Sequence, residues 1–256
     1  MARELVYDVL NVLGRTMIAA QGLRIQISGQ ENIPRTGGGV IAVNHTAYLD
    51  FLEIGLVGRN SGRNVRYMMK GELEQNRIVG FLMHQCKAIP VDRNAGAQSY
   101  HRAVDALRDG ELVVVYPEAT ISRSFELKGF KSGAARMALE SDTPIIPMVI
   151  WGAHRIWTKG FPRKLGRHNI PINIEVGEPI HPEAGEAPSA LTARLREAME
   201  KLLEQAQEGY PAPAGEPWVP ARLGGGAPDL ARAAELEEAE YAARHVKRPG
   251  KQPSED

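Results

Sequence analysis

Val40-Ile41-Ala42-Val43-Asn44-His45-Thr46-Ala47-Tyr48-Leu49-Asp50 is the stretch on which the reading of this chain turns. The β-branched run Val40–Val43 predicts a buried strand. Phe51-Leu52-Glu53-Ile54-Gly55-Leu56, just beyond, has the apolar spacing of a helix. A strand therefore delivers a histidine to a turn, and a carboxylate sits where the next helix begins. In open α/β sheets ligands bind at the carboxyl ends of the strands, so such a turn suits chemistry. An aspartate that accepts a proton from one imidazole nitrogen leaves the other as a base. The pair alone is a weak signal. Asp50 as a helix cap and His45 as a polar turn residue account for it equally well.

The segments on either side supply the fold. Residues 4–20 carry Leu5, Val6, Val9, Leu10, Val12, Leu13, Met17 and Ile18 at helical spacing, and Gly22 is the expected stop. The stripe is wide, which fits a helix packed on its own domain or one lying in a membrane interface. Leu23–Ser28 alternates like a half-exposed edge strand. Further strands are expected at Asn64–Met69, Lys87–Arg93, Leu112–Val115, Pro144–Ile150 and Ile170–Val176, with Pro144 and Pro147 suggesting a bend or bulge in the fourth of these. Helices are expected at Arg77–Gln85, Gly96–Arg108, Lys131–Leu139 and Ala190–Gln207. This alternation predicts an α/β fold, a mainly parallel central sheet of about seven strands flanked by helices. Three segments follow: an N-terminal amphipathic, membrane-interface helix over 1–22, a catalytic domain over 23–209, and a Pro/Gly-rich tail over 210–256 with one polar helix near Asp229–Arg244.

Composition removes several classes. Hydrophobic residues make up 43% and charged residues 24%, as in globular proteins. Thirty-one basic and 31 acidic residues give a net charge of zero, which argues against a nucleic-acid partner. The single cysteine, Cys86, forms no intramolecular disulfide and no zinc cluster. No apolar run reaches the roughly eighteen residues needed to span a bilayer, and the N-terminus lacks the pattern of a signal peptide. The expected location is the cytoplasmic face of a membrane, held peripherally.

Polar groups end several of the expected strands: His45 with Asp50, Lys70, Asp92 with Arg93, and Glu118 with Thr120. Here the sequence resembles a known family. Asn44-His45-x4-Asp50 is similar to the first motif of the glycerolipid acyltransferases, the 1-acylglycerol-3-phosphate (lysophosphatidic acid) acyltransferases. Ile89-Pro90-Val91-Asp92-Arg93 resembles the second motif and Tyr116-Pro117-Glu118-Ala119-Thr120 the third, normally Phe-Pro-Glu-Gly-Thr-Arg. Pro144-Ile145-Ile146-Pro147 resembles the fourth, and Lys70-Gly71-Glu72-Leu73 and Lys131-Ser132-Gly133-Ala134 resemble weaker features between them. The resemblance runs over about residues 23–180.

What the resemblance implies is acyl transfer to a lysophospholipid on a glycerol-3-phosphate acyltransferase-like fold. His45 would be the general base on the acceptor hydroxyl and Asp50 its partner. The acyl donor would be an acyl thioester, acyl-CoA or acyl carrier protein, with no acyl-enzyme, no metal and no further cofactor. The absence of a Gly-x-Ser-x-Gly elbow agrees, and Cys86 reads as an inert buried thiol. Arg93 is the implied phosphate ligand, unless it merely pairs with Asp92. Glu118 and Thr120 face the acceptor, and Lys70 and Lys131 are candidate phosphate contacts. Two departures stand out: Ala119 replaces the family's Gly and Ile121 its Arg. A methyl at 119 opposes a positive φ, and Arg123 is the expected substitute for the missing cation. The second motif also lacks the family's usual Gly and Phe.

Trp151–Asn169 holds His154, Arg155, Lys159, Arg163, Lys164, Arg167 and His168 with Trp157 and Phe161 and no acid. It reads either as a solvated loop or as a surface for anionic lipid headgroups or for the acidic acyl donor. The competing functions are acylation of another acceptor (glycerol-3-phosphate, a lysophospholipid headgroup or a glycolipid), lipid binding without catalysis, and metal-dependent phosphate hydrolysis. The last needs more clustered carboxylates or histidines than the strand ends offer.

Overall fold

In the computed structural model, which describes residues 4–91 and 96–246, seven strands form one sheet in the order β1-β7-β6-β2-β5-β3-β4. They are β1 Arg24–Ser28, β2 Gly39–Val43, β3 Val65–Lys70, β4 Ile89–Val91, β5 Leu112–Val115, β6 Ile145–Trp151 and β7 Pro171–Val176. Every pairing is parallel except β6 with β7. All residues of β2 and β6 are buried, as strands covered on both faces must be. β1 alternates between exposed and half-buried positions at one edge. The sheet is the mainly parallel one expected from the sequence. Pro144 precedes β6 and Pro147 does not break it: the register runs unbroken from Val40 opposite Ile145 to Val43 opposite Met148, with Pro147 opposite Ala42.

Helices α1 Leu5–Gln21, α2 Asp50–Asn60, α3 Arg77–Gln85, α4 Gly96–Arg108, α5 Gly133–Ser141 and α6 Pro188–Gln207 flank the strands, and α7 Leu230–Val246 follows them. Gly22 ends α1 in the left-handed conformation, φ 65°. Asn76 caps α3 by accepting from the Ile78 and Val79 amides. Leu191, Leu195, Met199, Leu202 and Leu203 form the buried stripe of α6.

α1 packs on its own domain along one side of its wide stripe and leaves apolar residues exposed along the other. Its first turn is tied to β3: Glu4 bonds Arg66 at 2.6 Å, and the Val65 amide donates to the Tyr7 hydroxyl at 3.1 Å. The hydrogen bond from Arg66 holds the Glu4 carboxyl down at about 2. On the other side Leu5, Val9, Val12 and Leu13 are each more than half exposed. No described helix is long and apolar enough to cross a membrane.

The chain divides into two units. The first comprises the residues up to Ile121 together with Gly129–Tyr210; the second comprises Ser122–Lys128 with the residues from Pro211 onward. Ion pairs join the two pieces of the second unit: Arg123 with Glu240, Lys128 with Glu237, and Arg222 with Glu126, each at 2.9 Å.

Candidate active site

The turn after β2 is fixed before any chemistry is asked of it. Asn44 is buried and exchanges two bonds with Ile150 of β6: its amide donates to the carbonyl at 3.0 Å, and its side-chain oxygen accepts from the Ile150 amide at 2.8 Å. Thr158 Oγ1 donates to the Thr46 carbonyl at 2.6 Å, and the Tyr48 amide donates to the Trp157 carbonyl at 3.0 Å. Asp50, 1% exposed, opens α2 and reaches back to the turn. Its Oδ2 accepts from the Thr46 and Ala47 amides, each at 3.0 Å, and lies 3.0 Å from His45 Nδ1. Asp50 is therefore both the lock of the turn and the partner of the imidazole. An acceptor on Nδ1 places the ring proton there and leaves Nε2 with its lone pair. The His45 side chain is 21% exposed, so that nitrogen belongs to a ring that solvent reaches.

β5 runs beside β2 and brings the third motif to the same ring. Glu118, buried, accepts from the His45 amide through Oε1 at 3.1 Å. The Tyr116 ring stacks on His45 with centroids 4.0 Å apart and planes 23° apart. Burial first, then the charges of Asp50 and Glu53, push the Tyr116 phenol well above its ordinary value. Ala119 sits at φ 61° and is exposed, the left-handed position where the family has Gly. Ile121, in place of the family's Arg, is 4% exposed and faces the interior.

The structure thus brings together His45, Asp50 and Glu118. Thr120 is exposed beside them in sequence. Lys131 has an exposed side chain and donates its backbone N–H to the Pro117 carbonyl at 2.9 Å, next to Glu118. Lys70 is exposed at the carboxyl end of β3. Arg93 and Asp92 lie outside the described residues. Arg123 belongs to the second unit, where Glu240 holds its guanidinium, so a phosphate there would have to displace a carboxylate.

Sequence reasoning gave no role to Tyr116 or Glu53. Glu53 is 1% exposed. Burial, with the Asp50 charge adding to it, pushes its carboxyl up to about 8. Its spacing carried the signal: Asp50, Glu53, Ile54 and Val57 fall at helical intervals and all are buried. The basic segment also needs correction. Trp151 and His154 are buried against each other, and Arg155 donates to the Tyr210 hydroxyl at 3.0 Å. Arg163, Lys164, Arg167 and His168 remain exposed, with Arg163 4.1 Å over the Trp157 ring. Cys86 is only half-buried. It lines an apolar cavity of about 380 Å³ between α1, α2, α3 and β3, together with Leu10, Ile18, Leu52 and Met83, and burial pushes its thiol up. Among the described residues no three of His, Cys, Asp and Glu gather as a metal site.

Residues 24–151, half of the chain, match the family model described as Acyltransferase. The 1-acyl-sn-glycerol-3-phosphate acyltransferase of Bacillus subtilis is 30% identical over 192 residues, which are 70% of this chain and 89% of that protein. The protein of the same name from Limnanthes douglasii is 29% identical over 178 residues, and the chain spans 59% of its length. Among solved structures, the 1-acyl-sn-glycerophosphate acyltransferase of Thermotoga maritima superposes with a TM-score of 0.65 at 19% identity, over 78% of this chain and 79% of that one. That last likeness is one of fold. The family model and the Bacillus relative go further: the chain belongs to the acyltransferase family.

Proposed function

We propose that the protein transfers a fatty acyl group from an acyl thioester, acyl-CoA or acyl carrier protein, to the free hydroxyl of 1-acylglycerol-3-phosphate, giving phosphatidic acid. The observation that carries this reading is Asp50 Oδ2, held by three donors of which one is His45 Nδ1. The names of the curated relatives support the choice of acceptor.

His45 Nε2 takes the proton of the acceptor hydroxyl as its oxygen attacks the thioester carbonyl. Asp50 stabilises the imidazolium that forms. The tetrahedral intermediate collapses with loss of thiolate, which recovers the proton from His45. Glu118 and Thr120 contact the glycerol. Lys70, Lys131 and Arg93 meet the phosphate. The apolar cavity beside α1 takes an acyl chain. The exposed face of α1 and the residues Arg163, Lys164 and Arg167 meet an anionic membrane surface on its cytoplasmic side. A second reading, acylation of a different acceptor, is favoured by one feature: Ile121 is buried where the family presents an arginine.

The test is thioester release with a panel of acceptors presented in anionic vesicles, wild type against His45→Ala and against Leu5, Val9 and Leu13 changed together to Ser. His45→Ala should lose about 10³-fold in rate. The triple variant should lose vesicle binding and keep turnover on detergent-dispersed acceptor. Equal rates for wild type and His45→Ala would defeat the catalytic reading. Release with some other acceptor and none with 1-acylglycerol-3-phosphate would favour the second one.

A further inference from the structure

The first turn of α2 carries two carboxyl groups, Asp50 and Glu53, three residues apart and so on one face of the helix. Both are 1% exposed. Three donors converge on Asp50 Oδ2. Asp50 Oδ1 and Glu53 Oε2 are buried with no hydrogen-bond partner among the described residues. The backbone donor that reaches the Glu53 carboxyl is its own amide.

Among the described residues, the groups whose charge couples to Glu53 are Asp50 on its own helix, Tyr67 on β3 and Tyr116 after β5. None is a cation. The Tyr67 hydroxyl donates to the Phe51 carbonyl at 2.6 Å, and Tyr116 stacks on His45, which lies across Asp50. Two carboxylates in one desolvated pocket oppose each other's ionisation. Asp50 has three donors that favour its anion and Glu53 has its own amide, so the shared proton resides on Glu53.

We propose that Glu53 is a positioning residue for the His45–Asp50 dyad: as the neutral acid it leaves Asp50 the one anion behind His45, and its ionisation disengages the dyad. The inference rests on the general-base reading of His45. Loss of the Glu53 proton to solvent places a second negative charge one helical turn from Asp50, with no cation among the coupled groups to absorb it. Repulsion then pulls against the three bonds on Asp50 Oδ2, and His45 loses its orienting partner. Burial and the Asp50 charge put this event at about pH 8, on the alkaline side of neutrality.

The experiment measures kcat and KM by thioester release from about pH 6 to about pH 10, with each protein scaled to its own maximum. One pH unit above its alkaline midpoint wild type should have lost kcat about tenfold relative to its maximum, with KM steady; Glu53→Gln should lose less than about twofold at the same pH. A Glu53→Gln profile that falls together with wild type overturns the proposal. A wild-type rate that survives His45→Ala overturns the general-base reading instead, and the two failures are told apart in the same assay. Carbon-13 carboxyl spectra of the wild type give an independent arm that needs no variant to fold. A glutamate signal titrating near pH 8, with a His45 ring shift tracking it, is expected; no glutamate titrating above about pH 6 would overturn the proposal.

Discussion

In the turn after β2, Asn44 and Asp50 are buried, their bonds reach β6 and the main chain of 46–47, and every residue of the first motif matches the family pattern. In the loop after β5, Ala119 stands exposed in the left-handed region, Thr120 is exposed, and Ile121 turns inward. The departures from the family pattern in the third motif fall in that loop. The two regions touch at one place, where Glu118 receives the His45 amide and Tyr116 covers the ring. The difference separates two demands. Orienting a base tolerates no slack, because a misplaced imidazole loses its proton acceptor geometry. Recognising an acceptor tolerates substitution, because several cations or hydroxyls serve.

The largest effect that sharpens the contrast lies in the turn. Asp50→Asn keeps the shape but presents an amide to His45 Nδ1. The ring proton then moves to Nε2, the wrong tautomer for a base. The expected loss in kcat is about 10³-fold, with acceptor KM little changed. A loss of under tenfold would mean that the turn is a structural lock and no more. The next effect lies at the junction. Glu118→Ala leaves the half-buried His45 amide unpaired and should destabilise the fold by about 1–3 kcal/mol by chemical denaturation. Glu118→Gln keeps an accepting oxygen, so it should restore most of that stability while acceptor KM stays raised about tenfold. If Gln restores KM as well, Glu118 serves the turn and not the acceptor.

These regions were legible to different degrees, for physical reasons. The strand, turn and helix around His45 are local, and β-branched runs, polar turn residues and apolar spacing all lie within one stretch. The antiparallel pairing of β7 with β6 was not read from the sequence, although it had a signal. Residues 152–170 contain no crossover helix, which a parallel connection requires. The pairing of β1 with β7 joins segments 147 positions apart with no local signal. Arg123 was read as free because its partner, Glu240, lies 117 positions downstream. Glu53 sat in plain view at the buried spacing of α2, but a glutamate in a helix reads as solvated until its surroundings are known.

The smallest effect tests the loop itself. Ala119 at φ 61° bears the steric cost of a left-handed L-residue, about 1–2 kcal/mol. Glycine removes that cost but adds freedom to the unfolded chain, which returns about 0.4–1 kcal/mol to the unfolded side. The methyl is exposed, so no packing is lost with it. The steric term is the larger of the two, and Ala119→Gly should stabilise the protein by up to about 1 kcal/mol, read as a higher denaturation midpoint at constant slope. Its effect on kcat should be slight, because the His45–Asp50 bond does not pass through the loop. A destabilised Ala119→Gly would show that the loop, like the turn, is held by contacts the methyl makes. A large fall in kcat would show that the two regions are one.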